Sequence, residues 1–461
     1  MTSTVVDALD LRDDQISTEE AIRDERSLDW GTLPENASLP DVVVWPESTE
    51  DVSTVMRTAS EHGIPVTPYA AGTSLEGNPI PTAGGICLDV SKMDSIVDVR
   101  PGDFQIDVQP GVFGSAINDA IEAHGLFFPP LPSSGKISTI GGMIANDASG
   151  MQTVKYGEIH DWVLRIEAVL PDGRVINTGS KAAKTSSGYN LMDLLVGSEG
   201  TLAVITEVTL ELAGIPQQIH GGRVIFEDRD SAAAAVSDVI QSGVDVAKIE
   251  LIDALSAQIT NEYLDTDLPD APMMFVEFHA DHDIETEIDF FSSIVSEHGT
   301  TNIDISESGA EMRELWEVRE VMAEALEPYD PDLTPITPGD VTVPMSEFTD
   351  LMKFISELEE EHDLLIPCFG HAGDGNIHYI VMVEADDEDA YEHGKEVYHE
   401  IVDYAIERGG TSTGEHGIGF GKQQFLEQEY TEATIELMRR VKDAFDPDGI
   451  LNPGKITPEN N

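Results

Sequence analysis

The stretch that most narrows what this chain can fold into is Phe369-Gly370-His371-Ala372-Gly373-Asp374-Gly375-Asn376-Ile377-His378. Glycines, an Asp and an Asn between two histidines mark a tight polar turn rather than a helix. Apolar runs flank it, Leu364-Leu365-Ile366 before and Ile380-Val381-Met382-Val383 after. The pattern predicts strand, turn, strand, with both imidazoles near the turn. Downstream, Gly414-Glu415-His416-Gly417-Ile418-Gly419 adds a carboxylate and a third histidine in a second glycine-rich loop. His371, His378 and Glu415 would form a three-ligand metal site with an open position for substrate. Two imidazoles and a carboxylate suit Zn²⁺, with Mn²⁺ and Fe²⁺ also compatible. The plain alternative is two surface turns carrying incidental histidines.

Charge sets the environment. The 461 residues hold 25 Lys+Arg against 88 Asp+Glu, a net −63. Such acidity excludes a nucleic-acid partner, which needs a cationic surface. The acidic residues are scattered through periodic apolar segments, so the chain reads as folded rather than disordered. At molar salt the Debye length falls to about 3 Å and self-repulsion is screened. The expectation is a protein adapted to high salt, as in a halophilic archaeon. The length suits two or three domains. With only Cys87 and Cys368, one disulfide is arithmetically available, but the composition points to a reduced cytoplasmic protein. The first residues lack a basic segment followed by an apolar one, so no secretory signal is read. No run of about 20 apolar residues occurs, which leaves a cytoplasmic protein or one peripheral to the inner face of a membrane.

In chain order, residues 1–38 are polar and acidic, with a helix or two expected on the outside. A strand at Asp41–Pro46, a helix from Ser48 to Gly63 and a strand at Ile64–Tyr69 lead into Ala70-Ala71-Gly72-Thr73-Ser74-Leu75-Glu76-Gly77-Asn78. Small residues there let main-chain N–H groups approach an anion, although an ordinary glycine turn would look the same. Strands Ser95–Val99 and Phe104–Val108 and a helix at Phe113–Ala123 follow. Next comes a proline-fixed stretch through Pro132-Ser133-Ser134, then the glycine-rich segment Ser138–Gly150. Pro171-Asp172-Gly173 turns a hairpin, and a strand at Val204–Leu212 closes the region. After Pro216 the order β-α-β-β-α-β predicts an antiparallel sheet with helices on one face. Met345–Glu361 carries Phe348, Leu351, Met352, Ile355 and Leu358 at helical spacing.

These segments together resemble the FAD-dependent D-2-hydroxyacid dehydrogenase family: cytochrome-type D-lactate dehydrogenases, D-2-hydroxyglutarate dehydrogenase and the flavin subunit of glycolate oxidase. The resemblance rests on Gly370–His378, Gly414–Gly419, the loop 70–78 followed by Gly84–Val90, Ser138–Gly150, Gly197–Leu210 and the tail Phe445–Lys455. It spans about residues 40–456. It implies an α+β protein with a vanillyl-alcohol-oxidase/PCMH-type FAD-binding domain and a ferredoxin-like antiparallel substrate domain. The expected divisions are 1–38, 39–216, 217–416 and 417–461, the last segment returning to the FAD domain. FAD would lie against Ala71, Gly72, Thr73, Ser74, Gly77, Asn78, Pro132, Ser133, Ser134, Thr139, Gly142, Asn146, Gly150, Glu199, Ile205 and Asn452. Many relatives have Arg-Gly before the first loop where this chain has Tyr69-Ala70. Relatives with covalent flavin place a histidine at Thr73, so FAD is expected to be non-covalent.

A D-2-hydroxyacid must lose a hydroxyl proton and a hydride. His416 is a sensible base, with an unperturbed pKa near 6.5. Arg319 offers a fork for the substrate carboxylate, or it pairs within its helix with Glu314 or Glu320. His416 adjoins Glu415, so a fourth metal ligand is the other reading. D-2-hydroxyglutarate dehydrogenases carry Lys and Asn where this chain has Pro338 and Ile380, so a small monocarboxylate, D-lactate or glycolate, is favoured. Electrons would pass to a protein, quinone or cytochrome acceptor, and a homodimer is compatible. The rivals are a metal-dependent hydrolase on the same His/His/Glu set and a non-enzymatic flavin-binding subunit.

Overall fold

The computed structural model describes residue 9 and residues 11–307, 309–326 and 329–458. It forms two compact units, one of Met1–Ser149, Glu158–Ile215 and Glu415–Asn461, the other of Gly150–Gly157 and Pro216–Gly414.

Two larger sheets, beside a two-stranded ribbon of Leu126–Phe127 and Ala213–Gly214, form the described part of the first unit. The smaller runs β1 (Ile16–Ser17), β2 (Val42–Val44), β4 (Ile86–Asp89), β3 (Val66–Tyr69), with β2, β4 and β3 parallel. β2 and β4 are buried along their whole length, as parallel strands usually are. Helix α1 (Thr49–His62) connects β2 to β3. The Ser48 hydroxyl caps it by accepting from the Asp51 N–H, and Gly63 ends it at φ +61°. The larger sheet is antiparallel, with strands β5 (Ile96–Arg100), β6 (Gln105–Val108), β7 (Val163–Val169), β8 (Val175–Gly179) and β9 (Val204–Glu211) in the order β5-β6-β9-β7-β8. Its inner face packs Ile106, Val108, Ile166, Val208 and Leu210 against α2 (Gly114–Ile121) and α3 (Ile140–Asn146).

Order begins earlier than the polar N-terminus suggested. β1 pairs with β2, and Asp29 is buried, so residues before Asp41 are not merely an outer layer. The C-terminal tail adds to the same sheet, where Leu451 bridges Val66 and the Asn452 N–H donates to the Val66 carbonyl at 2.7 Å.

The second unit is built on β10 (Gln218–Phe226), α4 (Arg229–Gln241), β11 (Lys248–Ile252), α5 (Ala254–Leu264), β12 (Met273–Ala280), α6 (Ile284–Val295) and β13 (Thr300–Ser306). The strand order β13-β10-β12-β11 is that of a ferredoxin-like β-α-β-β-α-β unit, with α5 added. β14 (Gly339–Thr342), β15 (Cys368–Gly370) and β16 (Asn376–Tyr379) extend it past β11 as β15-β16-β14, giving seven antiparallel strands. Helix α7 (Gly309–Glu320) carries Trp316 edge-on to Phe275, while α6 sets Phe291 edge-on to Phe278. Adjacent strand residues point to opposite faces, so this sheet is covered on both sides, not on one. Helix α8 (Phe348–His362) buries the five apolar residues its periodicity singled out.

The histidine hairpin is shifted from the expected register. Its strands are β15 and β16, not the apolar runs, and Met382 continues into a separate strand that pairs with Pro335. His371 follows the end of β15, whereas His378 lies inside β16 opposite Phe369. Both strands are buried on both faces, so polarity along them does not alternate.

Candidate active site

In the first unit the loop after β3 is shaped from below by a residue of the N-terminal segment. Asp29 accepts from the Ser74 hydroxyl at 2.8 Å and from the Gly77 N–H at 2.8 Å. Burial pushes the Asp29 carboxyl up, while the donors from Thr32, Ser74 and Gly77 pull it back. Gly72 and Gly77 both have positive φ, which a side chain would strain. The Thr73 hydroxyl meets Ser138 Oγ at 3.0 Å, and Ser138 donates on to Ser134 Oγ at 2.8 Å. Thr73 and Ser134, far apart in sequence, thus share one row of hydroxyls.

A second junction forms around Glu199, which is buried and sits at φ +51°. Its carboxylate accepts from Asn78 Nδ2 at 2.6 Å and from the main-chain N–H groups of Ile418 and Gly419 at 2.7 and 2.8 Å. Burial raises this carboxyl, against the pull of those donors. Asn452, at φ +42°, donates through Nδ2 to the carbonyls of Asn78 and Glu199. Non-glycine residues at positive φ are costly and persist where the surroundings fix them. Lys455 donates to the carbonyls of Gly77 and Ile80 at 2.7 Å, and burial lowers its pKa to about 8.

The same unit holds Glu415 and His416. Asn146 Nδ2 donates to the Glu415 carbonyl, and Ser149 Oγ donates to Glu415 Oε2 at 3.0 Å. His416 Nδ1 lies 3.9 Å from Glu76 Oε1.

In the second unit His371 and His378 lie edge to face, ring centroids 5.3 Å apart. Each has a carboxylate behind Nδ1: Glu250 at 2.7 Å from His371 and Asp340 at 3.6 Å from His378. A carboxylate there orients an imidazole toward a metal through Nε2. Asp340 also accepts from Asn376 Nδ2, the Thr413 hydroxyl and the Gly414 N–H. Arg319 pairs with buried Glu250 of a neighbouring strand, through Nε at 2.7 Å and Nη2 at 2.6 Å. Burial alone would raise the Glu250 carboxyl. The charge of Arg319, with His371 on the other oxygen, outweighs it and holds the group below its usual range.

Residues 215–456 match the family described as FAD linked oxidases, C-terminal domain, and residues 40–179 match an FAD binding domain. The glycolate oxidase subunit GlcD of Bacillus subtilis is 36% identical over 93% of this chain and 91% of its own length. The chain belongs to the FAD-linked oxidases. The mitochondrial D-lactate dehydrogenase [cytochrome] of Arabidopsis thaliana is 34% identical over 91% of this chain and 74% of its own. The D-lactate dehydrogenase of Anaerostipes hadrus is 32% identical over 90% and 89%. Among solved structures, p-cresol methylhydroxylase with substrate bound superposes with a TM-score of 0.80 at 17% identity, over 100% of this chain and 97% of that one. This likeness shows the fold, an α+β protein of the vanillyl-alcohol-oxidase/PCMH type.

The first unit of this FAD-linked oxidase fits a flavin dinucleotide by its leftover polarity. Among the described residues, Asn78 Oδ1, Thr139 Oγ1, Asn146 Oδ1 and Asn452 Oδ1 are buried without a hydrogen-bond partner. Such groups are rare in a folded protein, because each forfeits its hydration. Thr139 precedes α3 yet does not spend its hydroxyl on capping that helix. A Cβ built on Gly142 would meet only Thr139 Oγ1, at 3.6 Å, so the start of α3 borders open space. These groups match a ligand rich in N–H and hydroxyl donors. Ile205 is buried on β9, Pro132 and Ser133 open the short turn Ser133–Lys136, and Ala71 is half-buried. Gly150 is assigned to the second unit, where its N–H bonds Thr153 Oγ1 at 3.0 Å.

Sequence reasoning missed Asp29, Glu76, Ser138, Glu250, Asp340 and Lys455. The usable signal was a charged residue inside an apolar strand, as with Glu250 in Ile249–Ile252. Beside Glu250 lies a largely buried polar row. Tyr156 Oη meets His279 Nδ1 at 2.8 Å, His279 Nε2 meets Glu277 at 2.8 Å, and Lys248 Nζ stands 3.0 Å from Glu277. Burial would raise Glu277, but Lys248 and His279 bring it to about 2, from 4.5 when unperturbed. A depressed carboxyl contributes stability that is full above its unfolded value and lost as pH falls through the folded one. The urea midpoint, measured at constant KCl, is therefore expected to drop between about pH 5 and pH 2 and to drop less in Glu277→Gln. Equal acid slopes in the two proteins would remove Glu277 from this role.

Proposed function

We propose that this chain oxidises a small D-2-hydroxyacid, D-lactate foremost, to the 2-oxoacid and passes the electrons to a non-nicotinamide acceptor. One observation carries the reading. The two oxygens of buried Glu250 hold His371 and Arg319 side by side, fixing a metal-ligand imidazole next to a cationic fork. A metal-dependent hydrolase would use the histidines but would have no need of the four buried acceptors of the first unit. The relatives named D-lactate dehydrogenase and glycolate oxidase subunit support the substrate class.

FAD, when bound, supplies a hydride acceptor at flavin N5. A divalent cation, Zn²⁺ foremost, would be held by His371, His378 and Glu415 and would lower the hydroxyl pKa as a Lewis acid. His416 takes the hydroxyl proton as the carbon gives up its hydride, so two electrons and two hydrogens leave the alcohol. Arg319 receives the substrate carboxylate on the side of its guanidinium away from Glu250. Ile380 is buried in the apolar cluster with Phe369, Phe275 and Trp316. Its side chain therefore offers no hydrogen-bond donor to a second substrate carboxylate.

The test is a steady-state screen of D-lactate, L-lactate, glycolate and D-2-hydroxyglutarate with a dye acceptor in molar KCl. D-Lactate or glycolate should lead. Turnover of D-2-hydroxyglutarate above both would overturn the assignment.

Two further expectations attach to this reading. Thr73 is committed to Ser138 and offers no nucleophilic ring nitrogen, so FAD is bound non-covalently. Acid precipitation should leave a colourless pellet and a yellow supernatant, and a yellow pellet would refute it. The net charge of −63 makes the protein salt-dependent. Dilution below about 0.5 M KCl lengthens the Debye screening distance and should lower both melting temperature and activity. A melting temperature independent of KCl from low to molar concentration would show that the charge is not a salt adaptation.

A further inference from the structure

Within the second unit, two carboxylates stand on neighbouring strands beneath helix α7. Lys248 of β11 lies opposite Glu277 of β12, and Glu250 lies opposite Phe275. Residues two apart on a strand share a face, and so do residues directly across a pair. Lys248, Glu250, Phe275 and Glu277 therefore form one patch. α7 meets that patch with Trp316 and Arg319, three residues apart and so on one side of the helix. Trp316 Nε1 donates to Glu277 Oε2 at 2.6 Å, and Arg319 Nε donates to Glu250 Oε2 at 2.7 Å. Each donor has its own carboxylate.

All four partners are buried. The other oxygen of Glu277 is committed as well, with Lys248 Nζ at 3.0 Å and His279 Nε2 at 2.8 Å from Oε1. Lys248 Nζ also stands 4.4 Å from the centre of the Trp316 ring, which is edge-on to Phe275. The indole is thus held by its face, its edge and its N–H. A phenyl ring would satisfy the first two. Tryptophan adds a directed donor, aimed at a carboxylate that is itself fixed. One attachment, at Arg319, would leave α7 free to roll or slide about that point. A second directed bond one turn earlier removes this freedom, and small displacements of a binding group are costly.

We propose that Trp316 and Glu277 are positioning residues: their bond sets the register of α7 on the sheet and so delivers the Arg319 guanidinium to the substrate carboxylate. The proposal rests on the reading of Arg319 as the receptor of that carboxylate. Phenylalanine at position 316 keeps a ring on Phe275 but has no N–H to donate. Glutamine at position 277 keeps the size, yet its single oxygen cannot serve Lys248 and His279 on one side and the indole on the other.

The experiment is a set of double-mutant cycles on the FAD- and metal-loaded protein in molar KCl, read as KM and kcat for D-lactate and glycolate with a dye acceptor. Melting temperature, flavin and metal content are measured on each sample. Trp316→Phe is expected to retain flavin and metal, to raise KM by about threefold to thirtyfold and to change kcat by less than about threefold, the pattern of lost substrate binding. A general loosening of the fold would instead lower melting temperature, metal content and kcat together. Glu277→Gln should raise KM in the same direction, and it carries the test if Trp316→Phe does not fold. In an Arg319→Met background, where KM is already raised about a hundredfold or more, either substitution should add less than about twofold, because nothing is left to position. An unchanged KM in both Trp316→Phe and Glu277→Gln, or an equal rise with and without Arg319, would overturn the proposal. An unchanged KM in Arg319→Met alone would instead overturn the reading beneath it.

Discussion

Replacing His416 by alanine is expected to slow flavin reduction by D-lactate by about 10²–10⁴-fold, the usual effect of losing a positioned base. FAD and metal should both stay. The Glu415 carboxylate is held by Ser149, and its carbonyl by Asn146, so the residue before His416 is fixed on one side. His416 Nδ1 lies 3.9 Å from Glu76 Oε1, and Gly417 at φ +80° lets the chain reverse directly after it. A Cβ at Gly417 would press on Asn146 Oδ1 at 2.6 Å, so the turn is shaped tightly around the base. Substrate affinity should change by less than about tenfold, or ~1.4 kcal/mol. Metal loss in His416→Ala would make the residue a ligand, and normal bleaching would remove it from the chemistry.

The other large effect is expected at the histidine pair. His371→Ala and His378→Ala should each abolish bound metal and nearly all turnover, yet leave FAD bound, because the buried acceptors that fit the flavin belong to the first unit. Glu415→Ala should behave likewise for metal. Glu250→Gln is a graded version. It keeps a hydrogen-bond acceptor for His371 but removes the charge that orients it, and it leaves Arg319 buried without its anion. Loss of such an outer partner typically weakens metal binding about 10–100-fold. Full metal occupancy in the histidine variants, measured by elemental analysis, would show that the ligand set is wrong.

The β-α-β-β-α-β core could be read from the sequence because its helices are amphipathic and its strands are bounded by turns. Local pattern failed where strands are buried on both faces. β15 and β16 do not alternate, so the apolar runs beside them looked like the strands and His378 looked like a turn residue. Buried partners were hidden for a different reason. Glu250 meets His371 121 positions away, and Asp29 meets Gly77 48 positions away. Nothing local marks either carboxylate as structural until the sheet order brings the pairs together. Residues of the glycine-rich segments were easier to find, since their composition is itself the signal. Even so, which of them border open space depends on α3 and on the positive-φ turns at Glu199 and Asn452.

The central claim is that this flavoprotein takes a hydride from a D-2-hydroxyacid with His416 as base. It is tested most directly by mixing the oxidised, metal-loaded protein with D-lactate in molar KCl without oxygen, and following the yellow absorbance. The account predicts rapid bleaching with D-lactate, little with L-lactate, one pyruvate formed per flavin reduced, and slow bleaching in His416→Ala. An unbleached flavin with D-lactate and glycolate alike, in protein shown to hold both FAD and metal, would contradict it.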